Sequence, residues 1–342
     1  MPSQSLRTAL LPLSLIYASA ARLRAALYRA GIFRSRKLDG IVISVGNLTV
    51  GGTGKTPMVI WLAERLAAEG HRPAILTRGY RGGAQSDANG IPMSDEVAML
   101  RERLGASVQL GVGKNRYATG RTLEQHGASW FILDDGFQHL ALRRDVDIVL
   151  LDSNNPFSSS AVLPAGRLRE PRTALKRASI VVLTRTDHAP ALETVVRRYT
   201  VAPIFYAQTE LDAVLRAPGL TVPLPETEQK SARFFAFCGI GNPNGFFDDL
   251  RRWGFPVVGR RGFRDHHRYS PDDTSSLLQE AAASHADAFL CTEKDLFNLR
   301  DVIEQIRLPV YICRIRLALT DETGFWDAIQ AEIRRHRSGQ VP

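Results

Sequence analysis

The stretch IVISVGNLTVGGTGKTP, residues 41–57, decides the fold of this chain. Its first part, Ile41–Val45, predicts a buried strand, and a turn that contains three glycines follows it. Lys55 and Thr56 then begin a helical pattern that runs to about Glu69. A strand, a glycine-rich loop, a Lys-Thr pair and a helix are the parts of a phosphate-binding loop. The sequence therefore predicts a nucleotide site.

Each part of this loop has a chemical reason. Glycines allow backbone N–H groups to close around phosphate oxygens, and the helix N-terminus adds positive potential. Lys55 neutralises phosphate charge, and the hydroxyl of Thr56 is a ligand for Mg²⁺. The strict pattern has a glycine where this chain has Thr49, so an ordinary glycine-rich turn is the alternative. The residues that we expect to bind the nucleotide are Thr49, Val50, Gly51, Gly52, Thr53, Gly54, Lys55 and Thr56.

The composition is that of a folded globular protein with an anionic partner. The 342 residues suffice for two domains. Hydrophobic residues make up 44% and charged residues 23%, which excludes a disordered chain. The three cysteines have no CxxC spacing, so they indicate neither a zinc site nor a disulfide framework and agree with a reducing compartment. The net charge of +9 favours nucleic acid, anionic lipid or a phosphorylated substrate as the partner.

The N-terminal segment, residues 1–38, has basic residues but no Asp or Glu. Its apolar run, Thr8–Ala21, is shorter than the roughly 20 residues that cross a membrane. We predict a basic amphipathic helix that lies on the anionic membrane surface. A signal peptide cleaved near Ala18-Ser19-Ala20 and a plain helix packed on the protein core are the alternatives.

Two acidic segments accompany the loop. An apolar strand, Trp130–Leu133, ends at Asp134 and Asp135, where a carboxylate that holds Mg²⁺ sits in proteins with a phosphate-binding loop. An exposed acidic turn is the alternative. Asp95 precedes a second helical pattern, Val97–Leu104, and is either an ordinary helix cap or an acid near the γ-phosphate.

Continuous apolar strands separated by helices predict an α/β fold with a mostly parallel sheet covered on both faces. The predicted architecture is P-loop NTPase-like, with a second, smaller α/β domain and the N-terminal membrane-surface helix. We expect a membrane helix at 1–38, a core domain at 39–206, a linker at 207–232 and a C-terminal domain at 233–342. The last helix can pack back on the core domain.

The segment Asp265-His266-His267 belongs to the predicted C-terminal domain. Two adjacent histidines rarely bind one metal, and no third ligand follows at a suitable spacing, so the pair does not indicate a zinc site. A histidine beside an acid can orient a carboxylate base. An ordinary loop histidine is the alternative.

Several motifs follow one another across about residues 40–300: GNLTVGGTGKTP, LTRGYRG, SDE, DDGFQH, LPAGRLREP, FCGIGNP, DHHRY and TEKD. In this order they resemble the tetraacyldisaccharide 4′-kinase family, the membrane-associated kinases of lipid A biosynthesis. Thr49 is typical of that family, whereas Ser94 replaces a more usual glycine. The resemblance implies transfer of the γ-phosphoryl group of ATP to the 4′-hydroxyl of a tetraacylated glucosamine disaccharide 1-phosphate. It also implies a need for Mg²⁺ and a two-domain fold with the site in the cleft.

The resemblance also implies roles for individual residues. Lys55 and Asp95 are catalytic, with Asp95 as the base. Either His266 or His267 would be its partner, and we favour His266 because it directly follows Asp265. The metal and phosphate ligands that it implies are Thr56, Asp134 and Asp135. The further cleft residues that it implies are Glu96, Arg116, Gln138, His139, Arg169 and Glu170.

By the same resemblance, we expect a monomer at the cytoplasmic face of the bacterial inner membrane, peripheral or monotopic. Its partners would be the lipid substrate and the anionic membrane surface. The alternative function is a P-loop ATPase or GTPase switch of the partition or metallochaperone type, many of which have a second lysine where this chain has Val50. We expect no nucleic-acid partner, because the sequence lacks a basic–aromatic platform and its basic residues are concentrated at the apolar N-terminus.

Overall fold

The computed structural model describes residues 4–79, 94–157, 161–219 and 223–339. The segment Gln85–Met93, whose polar composition with Gly90 and Pro92 predicts a loop, lies outside the described residues, as do positions 80–82 of the LTRGYRG motif.

The helices and strands are numbered here in chain order. The helices are α1 (Gln4–Arg29), α2 (Lys55–Ala68), α3 (Asp95–Leu104), α4 (Arg116–Gln125), α5 (Pro190–Arg197), α6 (Glu226–Ser231), α7 (Pro243–Arg252), α8 (Pro271–Ala283), α9 (Glu293–Leu299) and α10 (Glu322–Arg337). The strands are β1 (Ile41–Asn47), β2 (Pro73–Thr77), β3 (Gln109–Val112), β4 (Trp130–Asp134), β5 (Val146–Asp152), β6 (Ile180–Thr184), β7 (Ile204–Ala217), β8 (Phe234–Cys238), β9 (Val257–Gly262), β10 (Ala288–Thr292) and β11 (Val310–Leu319).

The first of two compact units contains residues 1–79, 104–208 and 317–342. Its strands are hydrogen-bonded in the order β3-β2-β4-β1-β5-β6-β7, and each neighbouring pair is parallel. Strands β1, β4, β5 and β6 are buried along their whole length, as their continuous apolar sequences predict. The expectation of an α/β fold with mostly parallel pairing is confirmed.

The register of β1 on β4 brings the two main sequence signals together. Val45 pairs with Asp134 in this parallel ladder, so the two strands end at the same edge. The glycine-rich loop that follows Asn47 and the acids at the end of β4 therefore meet at the carboxyl edge of the strands. Open α/β sheets bind their ligands at this edge.

The second unit contains residues 80–103 and 209–316. Its strands pair in parallel in the order β11-β10-β8-β9. Neighbouring residues of β8 point to opposite faces, so that Phe235 enters one apolar core and Phe234 the other. This unit thus has an apolar core on each face of its strands.

The structure divides the chain differently from the predicted domains. The segment 207–232 is not a plain linker, because β7 extends through buried Val214 and Leu215 to Ala217. Helix α3 belongs to the second unit although it precedes most of the first unit in sequence. The last helix, α10, belongs to the first unit, as the sequence analysis allowed. The centroid of its Phe325 ring lies 5.3 Å from that of Phe205 and 5.4 Å from that of Trp61. Burial of apolar side chains against distant partners decides these boundaries.

Helix α1 is longer than the apolar run that predicted it. Its 26 residues continue through Pro12 and span about 39 Å at 1.5 Å per residue, so the argument that the segment is too short to cross a membrane was wrong. Among the described helices it is the one with the length and apolar composition of a membrane span, a test that a core helix or a signal sequence also passes. One side of α1 packs on the rest of the first unit through buried Ser14 and Ala18. The Ser14 hydroxyl donates to the carbonyl of Val162 and accepts from the N–H of Ala165.

Candidate active site

The phosphate-binding loop has the backbone that its glycines predict. Gly51 has φ 137° and Gly54 has φ 84°, values that favour glycine. Helix α2 begins directly after Gly54, so Lys55 and Thr56 are its first two residues. Within the described residues no side chain makes a capping hydrogen bond to this helix, and the N–H groups of a helix's first turn have no acceptor inside the helix. An uncapped helix N-terminus that follows a glycine loop is a site for an anion.

The loop is braced from within by Asn47, which the sequence reasoning did not single out. Its side-chain N–H₂ group donates to the hydroxyl of Thr53 at 2.9 Å and lies 3.4 Å from the carbonyl of Gly51. The hydroxyl of Thr184 donates to the carbonyl of Thr53 at 3.2 Å. Asn47 is fully buried, so these contacts hold the loop in one shape before a ligand binds. The GNLTV sequence at the end of β1 contains Asn47 and is the sequence feature that could have identified it.

Backbone hydrogen bonds join the start of the loop to the basic segment LPAGRLREP. Thr49 forms an antiparallel bridge with Leu168. The N–H of Val50 donates to the carbonyl of Arg167, and the N–H of Arg169 donates to the carbonyl of Leu48. This pairing fixes Arg169, predicted as a cleft residue, beside the loop.

Gly52 differs from Gly51 and Gly54 because its backbone conformation does not require glycine. A Cβ atom built at this position meets nothing within 4 Å. Neither packing nor a left-handed backbone therefore requires glycine here. Open space beside the backbone of a phosphate-binding loop is what a close approach of phosphate oxygens requires.

Asp135 lies between two cations. Its Oδ2 atom accepts a hydrogen bond from Arg169 at 2.6 Å, and its Oδ1 atom lies 3.6 Å from Nζ of Lys55. Burial disfavours the charged carboxylate, but the charges of Lys55 and Arg169 outweigh it and lower the pKa of Asp135. Its φ of 51° is left-handed, an uncommon conformation for a residue other than glycine. Asp135 is thus ionised and held in a strained backbone at the loop.

The same group of residues fits Mg²⁺. The Oδ1 atom of Asp135 is buried and accepts no hydrogen bond from the described residues. Asp134, 9% exposed, accepts a hydrogen bond from the hydroxyl of Thr77 at 3.3 Å. No group of three or more His, Cys, Asp or Glu suited to a metal occurs in the described part of the chain. A small number of carboxylates and a threonine hydroxyl suit Mg²⁺, because this ion keeps phosphate oxygens and waters as its remaining ligands.

The other predicted cleft residues of the first unit have different surroundings. Arg116 is 5% exposed, and burial lowers the pKa of its guanidinium group, which the charges of Asp134 and Asp135 oppose in part. Gln138 donates from its side chain to the carbonyl of Asn47 at 2.9 Å, so it supports the loop. Burial, followed by the charges of Arg116 and nearby arginines, lowers the pKa of His139 to about 4, which leaves the imidazole neutral at pH 7.

Asp95 and His266, both in the second unit, form a hydrogen-bonded pair. The Nδ1 atom of His266 lies 2.8 Å from Oδ2 of Asp95. The hydroxyl of Ser94 accepts the N–H of Val97 and acts as the N-cap of α3, so the carboxylate of Asp95 is available to the histidine. Hydrogen bonding to Asp95 is the main cause of a raised pKa at His266. Burial raises the pKa of Asp95, but His266 and Lys294 outweigh it, and the pKa is lowered.

The structure distinguishes the two adjacent histidines. His267 contacts a different acid from His266: its Nε2 atom lies 3.0 Å from Oδ2 of Asp273 in the first turn of α8. Its ring stacks on Phe263 with the centroids 4.6 Å apart. His267 is therefore a structural residue, whereas His266, with φ 58°, faces the acid.

Glu96 and Glu170 also have specific partners. Glu96 Oε1 lies 2.6 Å from Nζ of Lys294 in the second unit. In the first unit both oxygens of Glu170 accept hydrogen bonds from Arg177. The sequence reasoning assigned no role to Lys294 or Arg177, although Lys294 lies in the TEKD motif.

The comparisons with known proteins cover nearly the whole chain. The family model described as tetraacyldisaccharide-1-P 4′-kinase matches residues 6–334. A tetraacyldisaccharide 4′-kinase of Pelobacter propionicus is 36% identical over 96% of this chain and 93% of its own length. That of Geobacter sulfurreducens is 42% identical over 86% of this chain and 85% of its own length.

A solved structure agrees with these relatives. The structure of the "apo" form of LpxK from Aquifex aeolicus in complex with ATP superposes with a TM-score of 0.73 at 30% identity, covering 96% of this chain and 99% of that one. The phosphate-binding loop, its paired acids and the Asp95–His266 pair lie within the matched residues. The chain therefore belongs to the tetraacyldisaccharide 4′-kinase family.

Proposed function

We propose that this protein transfers the γ-phosphoryl group of ATP to the 4′-hydroxyl of a tetraacyldisaccharide 1-phosphate lipid, and so forms the 4′-phosphorylated lipid A precursor. The observation that carries the proposal is the 2.8 Å contact between Asp95 and His266. A switch that only hydrolyses ATP does not need a paired acid and imidazole for an alcohol substrate. A kinase does need a group that accepts the hydroxyl proton.

The first unit holds the phosphate donor. Backbone N–H groups of the loop and the N-terminus of α2 surround the phosphates, and Lys55 compensates their charge. Thr56, Asp134 and Asp135 would hold Mg²⁺, which when bound neutralises charge on the β- and γ-phosphate oxygens. Arg169 fixes the carboxylate of Asp135 for this purpose through its 2.6 Å hydrogen bond. Catalysis by this part of the site is alignment and charge neutralisation.

Asp95 accepts the proton of the attacking hydroxyl. Its lowered pKa makes it a weak base, so the transfer occurs late, after bonding to phosphorus has acidified the hydroxyl. His266 keeps the carboxylate oriented through Nδ1 and stabilises its charge. The loose transition state of phosphoryl transfer is compatible with a late proton transfer, because little nucleophile activation is needed early.

Helix α1 would place the enzyme on the anionic cytoplasmic surface of the inner membrane, where the acyl chains of the substrate remain partly in lipid. Helix α1 exposes apolar residues away from Ser14 and Ala18, among them Ile16, 68% exposed on the opposite side, and its neighbour Leu15, 69% exposed. A helix that packs one side on its own protein is suited to lie in the interface. We infer peripheral or monotopic attachment from these features.

The test is incubation with γ-labelled ATP, Mg²⁺ and a tetraacylated disaccharide 1-phosphate. We expect a labelled lipid with two phosphates. Lys55→Met should reduce the rate on the order of 10² to 10³-fold, since it removes a charge that stabilises the transition state. The matched control Lys176→Met, at an exposed lysine, should retain the rate. ATP hydrolysis without labelled lipid would contradict the proposal and favour the ATPase switch.

A further inference from the structure

Helix α9 is anchored at its N-terminus by a buried carboxylate. Asp295 is fully buried and accepts hydrogen bonds from the N–H and the hydroxyl of Thr292, at 3.1 and 2.6 Å. Its other oxygen accepts from the N–H of Gly239 at 2.7 Å and from the hydroxyl of Tyr269 at 2.8 Å. A carboxylate with four donors is fully satisfied, so the first turn of α9 is fixed to the end of β8.

Asp295 is also connected to His266 through the backbone of Gly239. The carbonyl of Gly239, whose N–H is bound by Asp295, accepts the N–H of His266 at 3.0 Å. His266 has the left-handed φ of 58°, which persists only where surrounding contacts over-determine it. Helix α9 therefore contributes to the placement of the imidazole.

Side chains of α9 also reach the acid of the pair. Nζ of Lys294 lies 2.6 Å from Oε1 of Glu96. The side-chain amide of Asn298, one turn further along α9, lies 3.4 Å from Oδ2 of Asp95, the oxygen that faces His266. One face of α9 thus contacts both acids at the start of α3.

The charges around the pair need a compensating cation. Asp95 and Glu96 are adjacent carboxylates, and Asp265 Oδ1 lies 3.8 Å from Nε2 of His266. Lys294 is the main cause of the lowered pKa of Glu96, and it also contributes to the lowered pKa of Asp95. Burial opposes the charge of Lys294, but the carboxylates outweigh it and raise its pKa, so the lysine is charged. Without this cation, Glu96 would repel the charge on Asp95.

We propose that Lys294 is a positioning residue for the Asp95–His266 pair. It binds Glu96 and compensates its charge, so that the carboxylate of Asp95 stays ionised and directed at His266. The proposal rests on the proposed function for the role of the pair, and it adds a residue that acts on the reaction through its neighbours.

The kinetic test compares Lys294→Met, Lys294→Arg and the control Lys230→Met, which removes an exposed lysine paired with Glu226. For Lys294→Met we expect the acid limb of the kcat/KM profile to move up by about one pH unit, and a rate about tenfold lower below that limb. The KM for ATP should stay within about twofold. Lys294→Arg should restore most of the rate, and Lys230→Met should behave as wild type.

A double variant tests whether Lys294 acts by compensating the charge of Glu96 or in another way. In Glu96→Gln/Lys294→Met the acid limb should return toward that of Glu96→Gln alone, because the charge that Lys294 compensates is gone. A large rise in the KM for ATP with an unchanged pH profile would instead make Lys294 a phosphate ligand. A lower Tm with an unchanged profile would make it purely structural. Either result overturns the proposal.

An NMR measurement, which requires no catalytic turnover, tests the role of Lys294 independently of the proposed kinase activity. NMR titration of histidine Cε1–H signals, with His266→Gln to assign the resonance, measures the pKa of His266. We expect Lys294→Met to raise this pKa, since it removes a cation from a cluster of carboxylates, and Lys230→Met to leave it unchanged. An unchanged pKa in Lys294→Met contradicts the proposal. A raised pKa in a protein that fails to phosphorylate the lipid supports it and refutes the kinase function.

Discussion

Arg177 holds the carboxylate of Glu170 with both terminal nitrogens, at 2.9 Å to Oε2 and 3.0 Å to Oε1. The guanidinium carbon lies 4.5 Å from the centroid of the Phe137 ring, so the arginine also stacks on an aromatic face. Glu170 is 7% exposed. The predicted cleft glutamate, which directly follows Arg169 in the LPAGRLREP segment, is thus held in a two-point ion pair.

We expect Arg177→Ala to destabilise the first unit by about 2–3 kcal/mol. This is below the roughly 3–5 kcal/mol for breaking a fully buried pair, because the Arg177 side chain is 27% exposed. Arg177→Lys should recover little, since an ammonium group cannot make both bonds. Denaturant unfolding measures the loss. Arg251→Ala, at an exposed pair with Asp248, should change stability by under about 1 kcal/mol, and an equal loss in both variants would refute the importance of this pair.

We expect Gly52→Ala to weaken ATP binding on the order of tenfold or more while stability stays within about 0.5 kcal/mol. The added methyl group fills space that is open beside the loop backbone and that phosphates would occupy. Titration calorimetry with ATP and thermal unfolding measure the two effects. Gly254→Ala is the contrasting control, because its open position has φ 79°, so it should lower the Tm and retain ATP affinity. Normal ATP affinity in Gly52→Ala would argue against phosphates at this position.

Asp95→Asn should lower kcat by about 10² to 10⁴-fold with little change in the KM for ATP. The amide keeps the size of the side chain but accepts no proton at neutral pH. Single-turnover phosphorylation of the lipid is the appropriate measurement, and circular dichroism checks the fold. Asp248→Asn, which changes an exposed aspartate of the second unit in the same way, should leave kcat unchanged. Near-normal turnover by Asp95→Asn would remove Asp95 from the role of base.

The pairing of His266 with Asp95 should make stability depend on pH. The folded pKa of His266 is raised, so its contribution is fully present below the unfolded value of about 6.5 and is lost as the pH rises through the folded pKa. The Tm difference between wild type and His266→Gln should therefore be larger at pH 6 than at pH 9. Thermal unfolding across this range tests the sign. A difference that grows toward pH 9 would contradict the raised pKa.

The double variant Leu15→Gln/Ile16→Gln should reduce binding to anionic vesicles. Both side chains are exposed on α1, and burial of one such side chain contributes about 1.5–3 kcal/mol, so losing two should weaken partition more than tenfold. Cosedimentation with vesicles at low salt measures the bound fraction. Val201→Gln, at a valine 98% exposed elsewhere in the first unit, is the control. Unchanged cosedimentation of the double variant would exclude this face of α1 as the membrane contact.

The sequence by itself determined the local features of the site. The loop of residues 41–57 and the acids at the end of β4 follow from short-range rules: glycine for left-handed φ, apolar runs for buried parallel strands, and Lys-Thr at a helix start. The order of the motifs across about residues 40–300 adds the resemblance to one family. These features sufficed to identify the family and its chemistry. The loop and the acidic turn each lie within about twenty consecutive residues, and the side-chain periods of strands and helices are recognisable over that length.

Only the tertiary structure decided the contacts between distant residues. Asp95 and His266 are 171 positions apart, and the sequence favours His266 over His267 only because His266 directly follows Asp265. The partners of Glu96 and Glu170, the length of β7 and the unit to which α10 belongs depend in the same way on burial and charge pairing across the fold. Side-chain burial and ion pairing act through space, so these relationships follow from the packed chain and not from spacing along it.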